Sequence, residues 1–305
     1  MTAMLAVLMQ LQVAIRICLR RGIASIFLLL ISVKMIHKMQ FAWVVLLLST
    51  LLSCKKNVTE PEFNQDNLAP LSVEFDNIVG GQNLILNTTS YKNSTGETYT
   101  IQLLQYFISN IVVTKANGTS YTVPQDSSYF LISEANPDSR FARVKVPEGD
   151  YSKITFTLGV DSLRSTMDVS KRTGVLDPAG GMESGMYWGW NSGYIFFKME
   201  GTSPQAPLDP TGANKYRYHI GGFGGYSAPT INNIKTITVD LTARGIAQVR
   251  TNRSANIHFF VDIDKVLSGT NPVSIAANPQ VMFSDFSVKV ANNFTAMFTH
   301  DHTEN

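Results

Sequence analysis

The heptapeptide Ile257-His258-Phe259-Phe260-Val261-Asp262-Ile263 sets apolar side chains at positions 257, 259, 261 and 263. That is the period-two pattern of a strand. Working outward, stretches with the same alternation or with β-branched and aromatic enrichment lie at 71–76, 107–114, 129–133, 143–146, 154–159, 194–200, 216–220 and 234–241. Turn residues separate them, among them Asn117-Gly118, Asn136-Pro137-Asp138 and Glu148-Gly149-Asp150. The pattern supports no amphipathic helix longer than about two turns, and 264–268 reads as a short one. Many short strands without alternating helices predict an all-β fold: an antiparallel β-sandwich or barrel with long loops and only short helices.

Composition mixes two different objects. The 305 residues carry 25 bases, 23 acids and a net charge of +2. Residues 1–53 hold Arg16, Arg20, Arg21, Lys34 and Lys38 and no acid, so without them 20 bases face 23 acids. The remaining 252 residues are mildly acidic and long enough for a proper core. With no basic cluster to neutralise phosphates, they are not expected to bind nucleic acid.

The leader has the parts of a secretory signal. His37 and Lys38 precede an apolar run over 41–52, which ends in Leu51-Leu52-Ser53-Cys54. Those four residues resemble a bacterial lipobox, with Cys54 as the lipidated first residue of the mature chain. A membrane-spanning helix is the alternative, but the run falls short of the roughly 20 apolar residues a bilayer requires. A second apolar tract at 23–33 is explained either by a true start at Met35 or Met39 or by an extra membrane segment. The expected organisation is a leader over 1–53, with 1–34 in doubt as to the start, then a lipid-anchored tether over 54–69 and a β-domain over 70–305. Localisation follows: cell envelope, periplasm or outer membrane, held through Cys54. Cys18 and Cys54 are the two cysteines, so the mature domain has no disulfide to form.

No Walker loop, G-x-S-x-G elbow or H-E-x-x-H motif occurs. The run Gly221-Gly222-Phe223-Gly224-Gly225 lacks the helix and lysine of a phosphate cradle and reads as a flexible loop. Ser184 or Ser192 as a hydrolase nucleophile is left unsupported. What stands out is where the rare residues lie. Trp188 and Trp190 sit together in Gly185-Met186-Tyr187-Trp188-Gly189-Trp190-Asn191-Ser192-Gly193-Tyr194, and residues two apart in a strand share a face. They serve either as a core anchor or as a site. Beyond the leader the histidines are His219, His258, His300 and His302. Imidazole suits copper and zinc. His300 and His302 flank Asp301, and an extended tail would put both rings on one side.

These residues resemble a known family. Leu71-Ser72-Val73-Glu74-Phe75, Tyr106-Phe107-Ile108-Ser109-Asn110-Ile111, Gly149-Asp150-Tyr151 and Phe156-Thr157-Leu158-Gly159-Val160-Asp161 are similar to segments of the MbnP-like copper-binding domain. Its most specific marker is the tryptophan motif at 185–194 running into Lys198-Met199-Glu200-Gly201, followed by Tyr218-His219-Ile220-Gly221. The resemblance covers about 71–302. It implies an extracytoplasmic β-protein of copper handling, with a MauG-like di-haem peroxidase as partner that can oxidise a tryptophan, here Trp188 or Trp190, to kynurenine. Two features depart from related copper proteins: Trp190 stands where a histidine can follow the modified tryptophan, and no cysteine follows His219.

The expected function is a lipid-anchored copper-binding protein, not an enzyme, with His219, His258, His300 and His302 as candidate ligands. The alternative is a metal-free interaction or scaffold lipoprotein of the cell surface.

Overall fold

The computed structural model describes residues 67–179, 185–190 and 193–305. The leader, Cys54, Ser184 and Ser192 lie outside the described residues. In chain order the strands are β1 (Leu68–Val79), β2 (Gln82–Asn83), β3 (Ser90–Lys92), β4 (Thr98–Lys115), β5 (Ser120–Thr122), β6 (Tyr129–Ser133), β7 (Phe141–Pro147) and β8 (Gly149–Leu158). There follow β9 (Tyr187–Trp188), β10 (Gly193–Thr202), β11 (Lys215–Gly221), β12 (Lys235–Asp240), β13 (Ala247–Val249), β14 (Ala255–Asp262), β15 (Gln280–Val281) and β16 (Phe298–Glu304). The α-helices are short: α1 (Ser162–Thr166), α2 (Asp264–Ser268) and α3 (Asp285–Asn292). Among the described residues, no helix is long and apolar enough to cross a membrane.

The strands form two sheets. The smaller runs β16-β14-β1-β2, with β7 also pairing β1; the larger runs β12-β8-β4-β10-β11-β15, with shorter strands added to β4, β8 and β10. The architecture is all-β and sandwich-like, as the alternation predicts. Most ladders are antiparallel, but β1–β14 and β11–β15 are parallel. Leu68 and Ala69 pair in β1 with Pro147 and Val146, and the small apolar Ala69 is fully buried.

Phenylalanines lock the sheets together. Phe156 of β8 lies with its ring centroid 5.5 Å from Phe75 of β1, 5.8 Å from Phe259 of β14 and 5.1 Å from Phe298 of β16. Each such burial contributes roughly 1.5–3 kcal/mol. Because Phe75 and Phe259 point inward, Glu74, Asp76 and His258 point outward.

A buried carboxylate pins the loop before β15. Glu97 Oε1 accepts from Ser274 Oγ at 2.8 Å and the Ala276 N–H at 2.9 Å; Oε2 accepts from the Ile275 N–H at 2.7 Å, Asn93 Nδ2 at 2.9 Å and Thr95 Oγ1 at 2.8 Å. Burial alone would raise this carboxyl, but the donors outweigh it and lower its pKa to about 2. A depressed folded-state pKa means the stabilisation is whole above the unfolded value near 4.5 and is lost as pH falls toward 2. Glu97→Gln swaps an acceptor oxygen for a donor nitrogen. It should lower stability by about 1–3 kcal/mol at pH 7 and flatten the acid limb of stability against pH. Urea unfolding at pH 7 and pH 3 checks both; equal acid sensitivity in the two proteins would refute the assignment.

Candidate metal centre

The centre is built by a bulge. β14 lies between β1, parallel with Glu74 opposite His258, and β16, antiparallel. Along β14 and β16, His258 faces His302 while the next residue, Phe259, faces His300, so Asp301 is the extra residue of a β-bulge. A bulge turns two successive side chains to one side and restores the alternation beyond it. Asp301 and His302 therefore join His258 on the outer face, and His300 turns inward.

This corrects the expectation that His300 and His302 share a side. His300 is only 5% exposed, packs edge-on against Phe259 at 6.1 Å and places Nε2 2.9 Å from Thr303 Oγ1. Burial lowers its pKa. His302 instead stacks on His258, with centroids 4.9 Å apart and planes 29° apart. Asp301 Oδ2 lies 2.7 Å from His302 Nδ1 and 3.2 Å from His258 Nδ1. That buried His258 Nδ1 makes no hydrogen bond, and its near neighbour is the Asp301 carboxylate. On the other side of the ring, Glu74 Oε1 and Asp76 Oδ2 each stand 3.9 Å from His258 Nε2.

Electrostatics tie the group together. The hydrogen bond that His302 makes to the Asp301 carboxylate leads the causes that raise the His302 pKa. Burial would raise the Asp301 carboxyl, but the His302 hydrogen bond and the charges of His258, His302 and Arg244 hold it below the ordinary carboxylate range. Burial pushes Asp76 up, against the pull of His258 and Arg140.

His258, Asp301 and His302 offer one ligand atom each, all within 4.8 Å of one another. Two nitrogens and a carboxylate are a donor set that first-row ions accept, and His258 Nδ1, which makes no hydrogen bond, is the nitrogen such an ion would satisfy. Two bonds of about 2.2 Å span roughly 4.4 Å, so binding would draw the side chains together by a few tenths of an ångström. Glu74 and Asp76 escaped notice in the sequence, although their alternation with Val73 and Phe75 puts both on one face of the strand.

The other sequence candidates lie elsewhere. His219 is in β11 of the larger sheet, where its Nε2 sits 2.7 Å from Glu200 Oε1 and Lys198 Nζ is 3.7 Å from the same oxygen. Trp188 of β9 is 6% exposed and touches Phe283 edge-on at 6.3 Å. Trp190 is 67% exposed, with its ring centroid 5.3 Å from that of Trp188. One tryptophan is thus a core anchor and its neighbour a surface group. The glycine run after His219, expected as a flexible loop, is held by hydrogen bonds from Gly224 N to Ile231 O and from Asn233 N to Gly222 O. Gly221 seats the buried indole: a Cβ there would come 2.3 Å from the Tyr194 carbonyl oxygen and 2.7 Å from Trp188 Cζ3.

Gly221→Ala should therefore destabilise the protein by about 1–3 kcal/mol and shift the tryptophan emission as Trp188 is displaced. Urea unfolding followed by fluorescence measures both, and an unchanged midpoint would contradict the packing described.

A solved structure, MbnP from Methylosinus trichosporium, is similar at 16% identity, covering 72% of this chain and 82% of that one with a TM-score of 0.48. No curated protein matches the chain. The MbnP family model matches residues 69–283, a span that contains Trp188, Trp190, His219 and His258 and stops before β16. By that match over most of its length, the chain belongs to the MbnP family.

Proposed function

We propose that the protein is a lipid-anchored, extracytoplasmic copper-binding protein whose metal is held by His258, Asp301 and His302. The observation that carries this reading is the bulge at Asp301, which gathers two imidazoles and a carboxylate with their ligand atoms within 4.8 Å of one another. Membership of the MbnP family supports it. The sequence Leu51-Leu52-Ser53-Cys54 supports the anchor, and the acid-free leader supports export. His219, engaged with Glu200, and His300, turned into the core, are not ligands in this reading.

Trp190 offers an accessible indole beside a buried one, which supports the partner that the family resemblance implies, a MauG-like di-haem peroxidase acting at Trp190 or Trp188. Intact mass of the chain made with and without such a partner would read kynurenine formation; the same mass in both would remove the partner from the account.

Equilibrium dialysis of the full chain in detergent against micromolar copper tests the centre. Copper should be retained by the parent and by His219→Ala and lost from His258→Ala and His302→Ala. Undiminished retention in the last two would leave the scaffold alternative standing. Neutral imidazole is the ligating form, so retention should fall with pH. Because His302 is held above the usual imidazole range, the loss should begin at a higher pH than for a free histidine.

A further inference from the structure

A cleft opens where β1 begins. Leu68, Pro70, Val123 and Pro124 wall about 430 Å³ of mostly apolar space, and two exposed cations, Arg143 and Lys145, join the lining. A volume of that size suits a small ligand. Val123 is buried whereas Pro70 and Pro124 are exposed, so the apolar surface runs from the core out to solvent. Proline has no N–H, and hydrocarbon lying against Pro70 or Pro124 leaves no backbone donor unsatisfied there.

Charge is sorted along the same pair of strands. Among the outward side chains, Pro70 stands opposite Lys145 and Ser72 opposite Arg143, while the acids Glu74 and Asp76 come further along β1. Arg143 lies over the Phe141 ring at 4.8 Å, and among the described residues no carboxylate pairs with either cation. Acids on the adjoining segments are engaged elsewhere: Asp126 with Arg164, and Glu148 with Asn67 and Thr251. A domain that is acidic in sum therefore presents positive charge beside an apolar cleft at the end where the chain enters it.

We infer that this cleft seats an anionic phospholipid of the bilayer that holds the anchor, with the acyl chain against Leu68, Pro70, Val123 and Pro124 and the phosphate on Arg143 and Lys145. The inference rests on the proposed anchor at Cys54 and adds which face of the domain lies on the membrane. Leu68 follows Cys54 by 14 residues, a length that spans roughly 20 Å as a flexible chain. Such a tether keeps the cleft at high effective concentration near the surface, so a contact that is weak alone suffices. Two cations at an anionic surface strengthen that contact about 30-fold, and the guanidinium fork of Arg143 matches a phosphate. An uncharged bilayer supplies neither gain.

The test uses the full chain reconstituted in vesicles of equal parts phosphatidylcholine and phosphatidylglycerol, one lipid at a time carrying a photoactivatable diazirine in its acyl chain. After illumination, peptide mass mapping should find adducts on Leu68, Pro70 and the 123–127 segment with labelled phosphatidylglycerol. Arg143→Gln combined with Lys145→Gln should cut this labelling about 30-fold, with circular dichroism unaltered. The mass of the Cys54 peptide in the same digest reports the anchor separately. Adducts in the cleft beside an unmodified Cys54 would remove the anchor and keep the lipid site. No adducts in the cleft would overturn the site, whatever the Cys54 peptide weighs. Equal labelling by the two lipids, or labelling unchanged in the double variant, would overturn recognition of the anionic headgroup. Adducts from a free diazirine fatty acid but not from vesicle lipid would make the occupant a soluble fatty acid and overturn the membrane contact.

Discussion

Phe156, packed against Phe75, Phe259 and Phe298, holds the two sheets face to face, and the orientation of the outer surface follows from it. An extended strand cannot bury Phe75 and Phe259 without exposing the residues between. Glu74, Asp76 and His258 are therefore outside because the phenylalanines are inside. With His300 inside, the same rule would send Asp301 outward and His302 inward, and the bulge breaks that rule at one place so that both face out. The apolar core and the polar cluster are two faces of the same three strands.

Much of the fold could be read from residue types, because hydrophobic burial writes a period into the chain. The 257–263 alternation lies on β14, 129–133 matches β6, and 264–268 matches α2. Strand β16 was missed because Phe298-Thr299-His300-Asp301-His302-Thr303-Glu304 is mostly polar. Its strand character comes from backbone pairing with β14 and from burial of Phe298 and His300, which are tertiary facts. The candidate site was half legible for the same reason. Counting rare residues pointed to His258 and His302, but which histidines meet depends on the register slip, and a one-residue slip reverses every side chain beyond it. His300 and His302 look equivalent in the sequence and have opposite fates.

Two separate chemistries occupy the molecule. The tryptophan motif, with Gly221 beneath Trp188 and Trp190 above it, belongs to the larger sheet and lies within the family match. The histidine cluster belongs to the smaller sheet and draws two of its three ligand residues from β16, beyond that match. Both are made of scarce residues, and the sandwich assigns them to different sheets.

The parallel ladder of β1 and β14 has a consequence for how the chain acquires its shape. Glu74 and Asn256, hydrogen-bonded across it, are 182 residues apart, so β1 must wait for nearly the whole domain before its partner exists. Its other neighbour, β7, is closer in sequence and can cover one edge early. Contacts of such long range make folding slow, and an uncovered strand edge invites pairing with other chains. Pro70 and the charged Arg143 and Lys145 lie at that end of the ladder, where a proline without an N–H and two cations discourage the wrong strand while the right one is still to come.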